Sequence, residues 1–276
     1  MVDVGGRRLR IVRAGPPGPR PTIVLEHGAF GCAADWAVVQ ERLAAKGLHS
    51  IAYDRAGLGH SDPGPRPRDG RALNADLAAL LRVIEEPAPW VLVGHSMGGL
   101  IVRLFALSHA DKVAGVVLVD AVVPAVMDEP RTARLVRAYG LGMRAMSLGA
   151  RFGLMRPVAA LTGNLIGLEG DAAIEKRRIY GAAGHAHWAA EEVSHWPRTS
   201  DQAAEADFPP QLPIAVVTAG ASQVAWLKAV QNAPARASLS GYVEDVPGAH
   251  HASLLGRKFA DPVVRGVEHV LVAAGR

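Results

Sequence analysis

Four short runs, 22–26, 48–53, 90–93 and 113–119, are apolar at nearly every position and alternate with stretches of helical spacing. A strand with one face in water alternates polar and apolar residues, whereas a strand apolar throughout has both faces covered. Parallel strands need long crossovers, and the intervening helices at 36–46, 71–84 and 100–110 supply them. The first 120 residues therefore predict an α/β fold, a mostly parallel twisted sheet flanked by helices. Ahead of it, Val2, Val4, Leu9 and Ile11 around Gly5-Gly6 read as a β-hairpin.

The alternation stops near Ala121. From there to Pro210 the spacing is helical only, broken at Gly149, Gly163, Gly167 and Gly170. A strand at 213–219, a helix at 223–232, a strand at 241–246 and a final helix from Ser253 resume the pattern. This predicts a core of 1–120 and 211–276 with a helical cap inserted at 121–210. The apolar cap residues Met127, Met143, Met146, Phe152, Leu154, Met155, Trp188 and Trp196 would suit the lining of a pocket for an acyl or aromatic substrate, but for any one of them packing of the insert's own helices is the stronger expectation. Arg131, Arg134 and Arg137, at helical spacing, read as a solvated face.

A chain of 276 residues, 49% hydrophobic and 20% charged, is long enough for one large core and too apolar for disorder. Its net charge of +4 is spread over dispersed arginines without an aromatic-laced basic stripe, so no nucleic-acid partner is expected. The single cysteine, Cys32, allows no disulfide within the chain. The start MVDVGGRRLR has no apolar leader segment, and no run approaches a membrane span. No membrane partner is expected, and the default compartment is the cytoplasm.

The chemistry concentrates at Gly94-His95-Ser96-Met97-Gly98, which follows a strand and opens a helix. In a G-x-S-x-G turn of this kind the serine is held on a tight bend with Oγ exposed above the sheet edge, and the flanking glycines avoid collisions with strand and helix. The Met97 amide, at the helix N-terminus, points where an oxyanion would form. The loop after the first buried strand, His27-Gly28-Ala29-Phe30, offers the second donor, the Ala29 amide first and Phe30 second. A base is expected late in the chain, where Val246-Pro-Gly-Ala-His250-His251 carries two histidines, one of which can face Ser96. The acid that orients it is harder to place. The segment after Ala219 reads Gly-Ala-Ser222-Gln-Val, without a carboxylate, and an uncharged Ser222 orients poorly. Asp120, closing the preceding strand, is the leading candidate, with Asp201, Asp207 and Asp245 behind it.

His27-Gly28, Asp54-Arg-x-Gly-x-Gly-x-Ser61, Gly94-x-Ser96-x-Gly98-Gly99 and the 247–251 segment, in this order, resemble the α/β-hydrolase superfamily over nearly the whole chain. In that family the catalytic histidine follows a stretch like Val-Pro-Gly-x-Gly, so the resemblance implies His251 as the base and leaves His250 at the glycine position. Haloalkane dehalogenases of the family place the acid where Asp120 stands. The family's dehalogenases and epoxide hydrolases use an aspartate nucleophile, against which Ser96 speaks. The resemblance also implies that Asp54 and Arg55 organise a loop near the site. It implies acyl-enzyme hydrolysis of a small or medium ester, lactone or thioester, without cofactor or metal. Carbon–carbon bond hydrolysis and cofactor-free haloperoxidase chemistry remain alternatives on the same three residues. So does a non-catalytic ligand-binding protein on the same fold.

Overall fold

The structure is a computed structural model and describes residues 1–221 and 225–276. Strands β1 (Val2–Asp3) and β2 (Arg8–Leu9) pair antiparallel across Gly5 and Gly6, both at positive φ. The predicted hairpin thus closes at Leu9. Ile11 instead opens β3 (Ile11–Ala14), the antiparallel edge of the main sheet. There follow β4 (Thr22–Glu26), a single 3₁₀ turn at Ala33–Trp36, α1 (Ala37–Ala45), β5 (Ser50–Tyr53), α2 (Gly70–Val83), β6 (Trp90–His95), α3 (Gly98–Ser108) and β7 (Val113–Val119). Six helices come next: α4 (Pro124–Met127), α5 (Pro130–Arg151), α6 (Met155–Thr162), α7 (Gly170–Tyr180), α8 (Ala183–Ser194) and α9 (Trp196–Ala203). The chain then returns to the sheet with β8 (Ile214–Ala219), α10 (Ala225–Ala237), β9 (Gly241–Val246) and α11 (Asp261–Ala273).

The seven-stranded sheet runs β3-β5-β4-β6-β7-β8-β9, parallel except at β3. Alternate residues of each inner strand feed two cores. Ile23, Leu25, Val91, Val93, Val117 and Val119 pack toward α1 and α11. Val24, Leu92, Val116 and Leu118 pack toward α2 and α3. The strands are apolar throughout because both faces are covered, and each fully buried side chain contributes roughly 1.5–3 kcal/mol relative to exposure.

The strand order reverses between β4 and β6, so the loops leaving their carboxyl ends part and open a crevice, the usual ligand position in an open α/β sheet. Two expectations need correction. Gly149, with Gly140 and Gly142, lies inside the continuous helix α5, whose hydrogen bonding tolerates glycine. Ser253 opens only a single 3₁₀ turn, and the last helix starts at Asp261, with Pro262 in its first turn where a missing N–H costs nothing. Among the described residues no helix is long and apolar enough to cross a membrane.

Candidate active site

β6 is the fourth of seven strands, and Ser96 follows it directly with φ 54°. Three backbone bonds hold that conformation. Ser96 N donates to Val119 O (3.1 Å), while Ser96 O accepts from Gly99 N (3.0 Å) and Val122 N (2.9 Å). The glycines are sterically required. A Cβ on Gly94 would stand 2.6 Å from Gly98 O, and one on Gly98 would stand 2.4 Å from Glu26 O. Met97 is the N-cap of α3, where amides have no intrahelical partner.

Gly28 brings the loop after β4 against this turn, since a Cβ there would lie 2.9 Å from Ser96 Cβ. The loop's carbonyls are tied back. Arg55 donates to His27 O (2.6 Å) and Gly28 O (3.0 Å), while Lys176 Nζ and His185 Nε2 each donate to Phe30 O at 3.3 Å. Phe30 itself adopts φ 58°. His27 is fully buried, with Nδ1 donating to Gly28 O (2.9 Å), and burial followed by the Arg55 charge pushes its pKa far down, so it is neutral.

Asp120 closes β7 at φ 41° and is 6% exposed. Its Oδ2 lies 2.6 Å from His251 Nδ1, and its Oδ1 accepts from Ala219 N (3.3 Å). Burial raises the Asp120 carboxyl, but the hydrogen bond and charge of His251 outweigh it and leave the pKa below its ordinary value. His250 does not line the cavity that His251 lines, and its backbone N and O are held in a local turn by Ser253 Oγ. His95 Nε2 donates to His251 O (3.1 Å), fixing the loop from below, and burial together with the neighbouring His251 holds the His95 pKa at about 3. The other candidate acids are elsewhere: Asp207 pairs with Arg103, Asp245 with Lys228, and Asp201 is exposed on α9. Ser222 lies outside the described residues.

Ser96, His251, Ala29 and Phe30 line one cavity of about 470 Å³. Its far wall comes from the stretch between β7 and β8, with Val136, Tyr139, Tyr180 and Trp196 on helices and Ile166 in the α6–α7 loop. Of the apolar cap residues singled out in the sequence, Trp196 is in this wall. Met143 and Met155 pack among the inserted helices, Phe152 and Leu154 are exposed, and Trp188 covers Gly57. The i, i+4 pair Leu135 and Tyr139 on α5, both lining the cavity, was the available signal for this wall.

Sequence reading also missed two charges here. Lys176 and Asp35, both buried, pair at 2.7 Å in the cavity wall, and the Asp35 carboxylate overcomes burial to hold the Lys176 ammonium above its ordinary pKa. The Trp196 indole N–H is buried without a hydrogen-bond partner among the described residues. Among the described residues no group of three or more His, Cys, Asp or Glu is disposed to hold a metal ion.

A family model described as alpha/beta hydrolase fold matches residues 21–257. Epoxide hydrolase A of Mycobacterium tuberculosis is 41% identical over 122 residues, which are 42% of this chain and 36% of that protein. The chain thus matches about a third of that relative's length. Among solved structures, a thermophilic esterase from Thermogutta terrifontis superimposes with TM-score 0.70 at 20% identity, covering 96% of this chain and 94% of that one. The epoxide hydrolase CorEH superimposes with TM-score 0.71 at 18% identity, covering 98% and 96%. At such identities the structural likeness concerns the fold alone.

Proposed function

From the premise that this chain belongs to the alpha/beta hydrolase fold family, we propose that it is a serine hydrolase cleaving a carboxylic ester, lactone or thioester through an acyl-enzyme. The observation that carries this reading is the 2.6 Å contact of His251 Nδ1 with Asp120, beside a cavity that Ser96 and His251 both line. With Nδ1 engaged by the carboxylate, Nε2 is the nitrogen left to accept a proton.

In this reading Ser96 Oγ attacks the substrate carbonyl as its proton passes to His251 Nε2. The Ala29 and Met97 amides hold the oxyanion, and Asp120 stabilises the imidazolium. Collapse of the adduct expels the alcohol or thiol, which takes the proton from His251. Water then attacks the acyl-enzyme by the same route, releasing the acid and restoring Ser96. The helices between 121 and 210 act as a cap whose apolar wall receives the acyl or alcohol portion. A serine at the elbow favours acyl transfer over epoxide opening by an aspartate nucleophile, despite the epoxide hydrolase among the relatives.

The test is turnover of p-nitrophenyl esters, acetate through laurate, by the wild type and by Ser96→Ala, with fluorophosphonate labelling of both. Turnover and labelling by the wild type, with a loss on the order of 10⁶-fold in Ser96→Ala, is the expected result. Absence of both turnover and labelling in the wild type would overturn the proposal and favour a ligand-binding role.

A further inference from the structure

Helix α5 carries a surface that the chemistry at Ser96 leaves unused. Between 130 and 168 the sequence holds six arginines and no Asp, Glu or Lys. Arg137, Arg144 and Arg151 recur every seven residues along α5, so their side chains form one column, successive members about 10 Å apart. All three are exposed. Among the described residues no ion pair reaches any of them, and the nearby Glu191 is engaged by Arg66 and His195.

Beside this column runs an apolar one. Leu141 and Leu148 also stand seven residues apart, each three or four residues from the neighbouring arginines, and Phe152 continues the line one turn on. They are 66%, 59% and 81% exposed. Leu154, just before α6, and Leu161, within it, are exposed as well. Exposed apolar side chains grouped in this way mark a contact surface rather than ordinary scatter. The other side of α5 lines the cavity through Val136 and Tyr139.

The charge pattern selects the occupant. A second copy docked by a two-fold axis would set arginine column against arginine column with no carboxylate between them. Nucleic acid would answer the guanidiniums, but the column offers its bases one aromatic ring, Phe152, among leucines, rather than the series of aromatics on which successive bases stack. An anionic phospholipid surface answers both columns. The leucines and Phe152 enter the acyl boundary, and the arginines extend to phosphate oxygens, which they bind through paired N–H donors. We propose that the α5–α6 face docks on an anionic phospholipid surface. The lack of an apolar span excludes crossing a bilayer by a helix of the described residues, and lying on one needs no span.

The test is co-sedimentation of the full chain with vesicles of phosphatidylglycerol and phosphatidylcholine, and with vesicles of phosphatidylcholine alone. The wild type is compared with Arg137→Glu/Arg144→Glu/Arg151→Glu and with Leu141→Ser/Leu148→Ser/Phe152→Ser. Circular dichroism establishes that both variants are folded. The expected result is salt-sensitive binding of the wild type to the anionic vesicles, weakened on the order of a hundredfold by charge reversal and about tenfold by the serines. Failure of the wild type to bind anionic vesicles, or equal binding by the folded variants, would overturn the proposal. So would light scattering that shows a dimer dispersed by the serine variant, because a second copy would then cover the face.

Discussion

Ser96 and Asp120 end neighbouring central strands, and both adopt a backbone conformation that residues with a Cβ seldom take. Each costs roughly 1–3 kcal/mol in isolation, held here by backbone bonds across the strand ends, Ser96 N to Val119 O and Asp120 N to Val217 O. The bend at Asp120 sets its carboxylate against His251. Replacing Asp120 by Asn keeps the shape and removes the charge that fixes the His251 tautomer, so kcat on a reactive ester is expected to fall by about 10⁴-fold. The same variant has a stability signature. Because the folded pKa of Asp120 is depressed, its contribution is fully present above the unfolded value of about 3.9 and vanishes as pH falls through the lower folded value. Urea midpoints of wild type and Asp120→Asn should therefore converge as pH drops below about 4. A gap that stays constant would mean that His251 does not hold the carboxylate ionised. Ser96 was legible as a candidate because its turn has a local steric logic. Asp120 was legible only as the carboxylate ending a strand, since its partner lies 131 residues away.

Among the elements, the strands were readable because burial on both faces leaves continuous apolar runs, and the strand bounds at 22–26 and 113–119 match the sequence reading. The inserted helices were readable as helices but not in their boundaries. Glycine punctuates a helical pattern in sequence, so a break is expected at Gly149, whereas α5 carries Gly149 as well as Gly140 and Gly142 in its interior. Gly142 carries this cost without visible return, because a Cβ there would meet nothing within 4 Å and its φ is not positive. Gly142→Ala is expected to stabilise the protein by about 0.5–1 kcal/mol, raising Tm by roughly 1–4 °C. Differential scanning calorimetry reads this directly, and a fall in Tm would show that the helix needs its glycine there. The facing pattern of α5 escaped the sequence reading for a related reason. Arginine and leucine at heptad spacing look like an ordinary amphipathic helix until the structure shows both columns outside.

Across the whole molecule, buried charge joins the sheet to the inserted helices. Arg55 is 1% exposed and meets Glu26 of β4 and Glu192 of α8 together, while donating to the His27 and Gly28 carbonyls. Burial raises the Glu26 carboxyl against the pull of Arg55, and Glu192 meets Arg55 through both Nε and Nη2. Removing one member of a buried pair leaves the other charge exposed to the low-dielectric interior. Glu192→Gln is expected to cost about 3 kcal/mol in urea unfolding and to lower kcat through the loop that Arg55 holds. A change under about 0.5 kcal/mol would mean that Glu26 alone suffices. No local pattern announces such a network, since Arg55 and Glu192 lie 137 residues apart. Lys176, His185 and Glu192, all from α7 and α8, thus bear directly or through Arg55 on the carbonyls of one four-residue loop. The insert is therefore no interchangeable cassette. Helices transplanted between β7 and β8 from a relative, or a chain shortened by deleting them, leave an interior arginine and a set of carbonyl acceptors without the partners they are cut for.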